Sequence, residues 1–253
     1  MRICVLGSGS KGNSFYVEHN GTSLLIDVGF AASRMIELLH GIGVHSKDIK
    51  GILITHEHID HVSGLVKFSR DNTIPVFTNS KTHNAIAPYL NGRKIEQFEQ
   101  GVSFSIGTIR VNPFSVLHDA ADPSGFCLEA EGRRACIVTD IGHVTTLVHE
   151  RLHGCTTIFL ESNHDEDLLL HGKYPWHLKQ RILSNQGHLS NLHALRTIER
   201  VATSYLKQVV LIHLSQENNT PDLARQTVSP FITKHEINLA IADQFRVSEV
   251  FEV

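Results

Sequence analysis

The chain has 253 residues, 41% of them hydrophobic and 19% charged, with a formal net charge of -3. That is enough apolar side chain for a packed core and too little positive charge for a general nucleic-acid coat protein, although a local basic strip stays open. No apolar run approaches the ~18 residues of a membrane span, and residues 1–6 are too short for a signal-peptide core, so an unanchored cytosolic (cytoplasmic) protein is expected.

In chain order, residues 2–6 read as a short buried strand running into the loop Gly7-Ser8-Gly9-Ser10-Lys11-Gly12-Asn13-Ser14. Residues 15–18 read as a second strand, Asn20-Gly21 as a hairpin turn and 23–27 as a third strand. Ala32, Met35, Ile36 and Leu39 fall at helical spacing across 31–40, with Gly41 as a stop. A strand over 49–55 is followed by helix over 62–69, strand over 75–78 and helix over 81–90. Residues 95–139 read as strands with turns at Gly101, Gly107, Pro123 and Gly132. Helix over 144–153, strand over 156–161, helices over 165–184 and 190–205, and strand over 208–213 come next. Thr220-Pro221-Asp222 is a helix start, and one or two short strands close the chain over 238–253. With no repeat or linker, a single domain over 1–253 is expected, with two β-rich halves.

Cys4, Cys127, Cys136 and Cys155 form no Cys-x-x-Cys pair and read as reduced, buried side chains. Cys127 and Cys136 could face each other across a hairpin, which alone does not make a disulfide.

Gly7-x-Gly9-x-x-Gly12 follows a strand and matches the dinucleotide fingerprint, with Asp27 where the ribose-binding acid would stand. That motif needs a helix at once, because the helix N-terminus holds the pyrophosphate. Phe15-Tyr16-Val17 and Asn20-Gly21 demand a strand and a hairpin instead, and the residues after Lys11 do not complete a P-loop. Two readings stay open: a permissive turn, or a loop whose N–H groups and Lys11 line an anionic pocket.

Thr55-His56-Glu57-His58-Ile59-Asp60-His61 carries the strongest signal. Three imidazoles and a carboxylate at a strand end suit zinc and related divalent ions, whereas a solvated polar loop rarely gathers so many ligands beside apolar strands. The spacing strains all four on one ion and suits two, with His56 and His58 on one and Asp60 and His61 on the other. Such ions lie about 3.5–4 Å apart and need further ligands. His118, Asp140 and His213 each follow a predicted strand, and Asp140 is the carboxylate best placed to bridge.

His56-x-His58-x-Asp60-His61, followed by His118, Asp140 and His213, resembles the metallo-β-lactamase superfamily. The resemblance spans nearly the whole chain, from Leu24-Leu25-Ile26-Asp27-Val28-Gly29 to Leu211-Ile212-His213-Leu214-Ser215. It implies an α+β fold, an αββα sandwich of two mixed β-sheets flanked by helices, with a dinuclear site at one edge. It implies that His56, His58 and His118 hold one ion, that Asp60, His61 and His213 hold the second, that Asp140 bridges, and that Asp27 orients a ligand. The implied cofactors are two divalent ions, zinc or manganese, which lower the pKa of water to about 7 and stabilise charge developing on a phosphoryl or acyl oxygen. The implied reaction is hydrolysis, with catalytic roles for His188, Asp60 and Asp140.

Within that superfamily, the missing signal peptide disfavours a secreted lactamase. The 47 residues between Asp140 and His188 are too few for a β-CASP cap and lack the basic substrate motifs of the glyoxalase II type. Gly187-His188-Leu189-Ser190-Asn191 stands before His213 as a second histidine motif does in ribonuclease Z-like and PhnP-like phosphodiesterases, which makes His188 a general-acid candidate. Ser8 through Ser14, Glu161-Ser162-Asn163-His164-Asp165, the Gly187 motif and His213-Leu214-Ser215-Gln216-Glu217-Asn218-Asn219 are similar to the YycJ/WalJ (VicX-like) subgroup. That similarity implies a metal-dependent DNA exonuclease, 5′ to 3′ on duplex DNA. The alternatives are a small-molecule cyclic phosphodiesterase resembling PhnP, a thioester or lactone hydrolase, and a non-catalytic metal-binding regulator. Candidate substrate contacts are Ser10, Lys11, Asn13, Asn163, His164, Lys179 and Arg181, with His143 a further pocket candidate. Lys173, Lys179, Arg181, Arg196 and Arg200, interleaved with Tyr174 and Trp176, suit phosphate tracking and base stacking, or else a solvated helix face over a core tryptophan.

Overall fold

The computed structural model describes residues 1–90 and 95–253. Strand β1 (Arg2–Gly7) turns Ile3 and Val5 to one face and Cys4 and Leu6 to the other, and all four are buried. A strand apolar on both faces must lie between two covering layers. It does: β1 sits in a seven-stranded sheet with β2 (Ser14–His19), β3 (Thr22–Ile26), β4 (Ile49–Leu53), β5 (Val76–Thr78), β6 (Ile95–Gln97) and β14 (Val250–Glu252), in the order β14-β1-β2-β3-β4-β5-β6. The second sheet runs β13-β12-β11-β10-β9-β8-β7, built from β7 (Phe104–Ile106), β8 (Ile109–Ser115), β9 (Ser124–Ala130), β10 (Arg133–Val138), β11 (Thr157–Glu161), β12 (Gln208–Ile212) and β13 (Asn238–Ile241).

The inner faces meet in one apolar layer in which Val5, Phe15 and Leu24 oppose Phe126, Ile137, Phe159 and Val210. Phe15 and Phe159 touch edge to face across it. On the outside, α1 (Ala32–Gly41), α3 (Leu65–Asn72) and α4 (Ser80–Leu90) cover the first sheet. Helices α5 (Thr146–Leu152), α8 (Asn191–Val201) and α9 (Pro221–Lys234) cover the second. The result is the expected αββα sandwich with mixed sheets. β3 to β6 are mutually parallel, as are β10 to β13, while the remaining neighbours pair antiparallel.

Three local expectations change. The helix expected over 165–184 is two, α6 (Glu166–His171) and α7 (Trp176–Leu183), because Gly172 and Pro175 interrupt it. The helix expected over 62–69 is the single turn α2 (Ile59–Val62) and then α3, with Gly64 between them. Cys127 and Cys136, read as reduced, are direct partners in the β9–β10 ladder, with Cα atoms 4.2 Å apart, and are joined as a disulfide. Cys4 and Cys155 are free and buried.

Candidate metal centre

Parallel strands end on a common edge, and that edge collects the polar side chains. Asp27 follows β3, residues 55–61 follow β4, His118 follows β8 and Asp140 follows β10. Glu161 ends β11 and His213 follows β12. Asp27, Asp140 and His213 leave their strands through left-handed backbone, with φ of 61°, 51° and 56°. Aspartate and histidine reach that region more readily than most side chains. At Gly29 a Cβ would collide with the Asp60 carbonyl, so only glycine lets the histidine loop pack on the turn after β3. Asn13 N–H then donates to Asp60 O at 2.8 Å, and Val28 N–H to His61 O at 2.9 Å.

Ligand atoms of His56, His58 and His118 fall within 4.8 Å of one another, as do those of His56, His61 and Asp140, and those of Asp140, Glu161, His188 and His213. Most of these rings have one nitrogen tied to the protein, which fixes where the other points. Nδ1 of His56 lies 3.0 Å from Thr55 Oγ1, that of His61 2.7 Å from Asp27 Oδ2, and that of His118 3.0 Å from Gly187 O. Nδ1 of His188 and of His213 both lie 2.8 Å from Glu161 Oε1. The inward nitrogens converge: His61 Nε2 is 3.1 Å from Asp140 Oδ2, and His118 Nε2 is 3.3 Å from His58 Nδ1. Two carboxylates brace the rings. Asp27 accepts from Thr55 N–H and Oγ1–H, and Glu161 accepts from Ile141 N–H and Leu189 N–H.

The charges are strongly coupled. Burial opposes ionisation of Glu161, but His188 and His213 outweigh it and bring the carboxyl down to about 2. Burial also opposes a charged His213, yet Asp140 and Glu161 push it up to about 9. Burial and the neighbouring His61 hold His56 well below the usual histidine range. The rim therefore attracts positive charge, and the buried Nε2 atoms of His56 and His213 have no hydrogen-bond partner among the described residues. An orphaned nitrogen in such a place wants a ligand. A nitrogen-rich donor set edged by carboxylates fits a divalent ion such as zinc.

The domain description "Beta-lactamase superfamily domain" matches residues 22–214. The chain belongs to the metallo-β-lactamase superfamily. It is 36% identical to exodeoxyribonuclease YycJ of Bacillus anthracis, over 100% of this chain and 94% of that protein. It is 34% identical to exodeoxyribonuclease WalJ of Streptococcus pneumoniae, over 95% of this chain and 91% of that protein. Both identities run nearly end to end and place this metallo-β-lactamase-fold hydrolase in the YycJ/WalJ group. The fold also matches the metallo-β-lactamase fold protein YhfI of Bacillus subtilis, with a TM-score of 0.75 at 15% identity over 98% of this chain and 99% of that one.

In this metallo-β-lactamase-fold protein, Ser10, Asn163 and Arg181 line a cavity of about 240 Å³ over the histidines, together with Tyr174 and His188. Arg181 is paired with Asp119 there. The other candidate contacts lie elsewhere. Lys11 stands outside the cavity lining, its ammonium 5.7 Å from the Phe245 ring centroid. Asn13 is fully buried: its Oδ1 accepts from Ser8 Oγ–H and Gly9 N–H, and its Nδ2 reaches Asp60, so it shapes the loop rather than meeting a substrate. Lys179 is also buried and donates to Leu170 O and Gly172 O, closing the break between α6 and α7. His164 and His143 line a neighbouring cavity instead. Lys173 is tied to Glu217, and Trp176 is 60% exposed rather than in the core. The glycine loop joins two strands, as expected.

Two residues escaped the sequence reading. Glu161 appears there only as part of a motif, although a carboxylate ending an otherwise apolar strand was a usable signal. Asp119, 3.2 Å from His118 Nε2, had only its adjacency to His118 to mark it. Among the described residues, no helix is long and apolar enough to cross a membrane.

Proposed function

We propose that this protein is a dinuclear-metal phosphodiesterase that digests duplex DNA from its ends, 5′ to 3′, with residues 1–253 forming one domain in the cytoplasm. The observation that carries the reading is the convergence of donors on one rim beside the Glu161–His188 pair: six in the clusters above and Asp60, whose Oδ2 lies 3.5 Å from His61 Nε2 and 3.8 Å from His213 Nε2. The exodeoxyribonuclease relatives supply the choice of DNA over other phosphodiesters.

In this reading His56, His58 and His118 would hold one ion, Asp60, His61 and His213 the second, and Asp140 would bridge. The nitrogen-rich set favours zinc, with manganese as the alternative. When bound, the ions make water nucleophilic at neutral pH and balance charge developing on the phosphoryl oxygens. The chain supplies the proton. Burial lowers the pKa of His188, but Glu161 and Asp140 more than compensate and raise it above the usual histidine value. Glu161 holds His188 Nδ1, which leaves Nε2 to face the substrate. As the oxygen of water bonds to phosphorus, the bond to the leaving 3′ oxygen breaks and the His188 proton passes to that oxygen. Asp27 keeps His61 oriented, and Asn13 steadies Asp60.

The test is a side-by-side screen of metal-loaded protein on duplex DNA, single strands, RNA and cyclic phosphates. Mononucleotides released from duplex 5′ ends are expected. Rapid cleavage of a cyclic phosphate with no nucleotide released from DNA would move the activity to a small-molecule phosphodiesterase.

A further inference from the structure

His188 forms a wall of two cavities. One is the cavity over the metal ligands. The other, of about 430 Å³, lies among α5, α8 and the segment 183–189, and holds none of the seven candidate ligands. Its lining carries Arg196 and Arg200, one helical turn apart on α8, with His149, His193 and Thr197. Neither arginine makes an ion pair or hydrogen bond among the described residues. The one carboxylate in the lining, Glu166, is already engaged: its Oε1 accepts from Ser190 Oγ–H at 2.8 Å and lies 3.8 Å from His193 Nδ1.

A second observation points to a ligand. His164 also lines this cavity, is only 2% exposed, and has an Nδ1 with no hydrogen-bond partner among the described residues. A buried polar nitrogen without a partner is uncommon in a folded protein and marks a place where something else binds. Two unpaired guanidinium groups lining the same cavity as such a nitrogen suit an oxyanion, and a forked guanidinium recognises phosphate best.

The chemistry of the neighbouring site orients that phosphate. If hydrolysis leaves the retained strand with a 5′-phosphate, the expelled oxygen is the 3′ oxygen of the terminal nucleoside. The acid that protonates it stands on that nucleoside's side of the scissile phosphate. With His188 as the acid, the terminal nucleoside extends from the metal ligands past His188, toward the arginine-lined cavity.

We propose that this cavity binds the 5′-terminal phosphate of the DNA strand being digested, through Arg196, Arg200 and the free nitrogen of His164. The proposal rests on the exonuclease reading and deepens it.

The experiment measures binding of metal-loaded, full-length protein to two duplexes with phosphorothioate linkages at the 5′ end, one carrying a 5′-phosphate and one a 5′-hydroxyl. Fluorescence anisotropy of a 3′ label reads the affinity. Wild type is expected to bind the phosphorylated end about tenfold tighter or more, the value of a charge-assisted hydrogen bond or two. The variant Arg196→Ala/Arg200→Ala is expected to lose that preference. Both side chains are exposed, and a thermal melt checks that the variant folds. The proposal is overturned if wild type shows no preference, if the variant keeps it, or if the variant weakens both duplexes equally. A calorimetric titration with inorganic phosphate separates the two sources of the anion. Arginine-dependent phosphate uptake without any end preference would assign the cavity to free phosphate and overturn the strand-end claim. Failure of the exonuclease reading looks different: wild type then cleaves bis(p-nitrophenyl) phosphate but releases no nucleotide from unmodified duplex.

Discussion

The two sheets furnish the rim in different ways. The first gives four donors from one loop, residues 55–61, braced by a single carboxylate, Asp27, that touches one of its rings. The second gives side chains one at a time, His118, Asp140, Glu161 and His213 at strand ends and His188 from the loop before α8. It braces two imidazoles on one buried carboxylate, Glu161. A contiguous cluster needs only a strand and a turn to form. A dispersed one exists only when the whole ladder from β8 to β12 is in register, so the second half couples chemistry to folding far more tightly.

Chelation strikes both halves and has the largest expected effect. Stripping the metal should abolish hydrolysis and remove roughly 3 kcal/mol or more of linkage stabilisation, which for a chain of this size lowers Tm by about 6–12 °C. An unmoved Tm would mean that the rim holds no ion. His188→Ala tests the second half alone: kcat should fall by about 10²–10⁴, with metal content by mass spectrometry unchanged. Loss of an ion with the activity would make His188 a ligand and end its role as the acid. The smallest effects compare the braces. Glu161→Gln and Asp27→Asn should each cost about 10–100-fold in metal affinity or rate, with Glu161→Gln the greater because it releases two rings. Equal losses would break the asymmetry drawn above.

That asymmetry also explains what was legible from the amino acids alone. The loop 55–61 announces itself, since its donors are neighbours in sequence. Asp140 and His213 were reachable because each follows an apolar run long enough to read as a strand. Glu161 was not assigned, because its role is to hold other side chains and no spacing rule marks it. The substrate contacts fared worst. Lys179 and Arg181 are two residues apart on α7, yet one ammonium is buried against the carbonyls of the preceding helix end while the other side chain lines the cavity. Which side of a short helix faces in depends on the break at Gly172 and Pro175, which the sequence reading ran through as one helix. The Cys127–Cys136 disulfide runs against the reading for a related reason: the hairpin places the two opposite each other, but an expected cytosolic address favours reduced thiols.

The left-handed backbone at Asp27, Asp140 and His213 bears on how this protein can evolve. Side chains held in that conformation cost of order 1–3 kcal/mol each, a large part of the ~5–15 kcal/mol that keeps a typical domain folded. The rest of the sandwich must supply the difference for as long as the side chains at those positions matter. Glycine at these positions would relieve the backbone but would strand Thr55 and His61 at Asp27 and forfeit candidate ligands at Asp140 and His213, so the strain persists where fold and site need the same side chain.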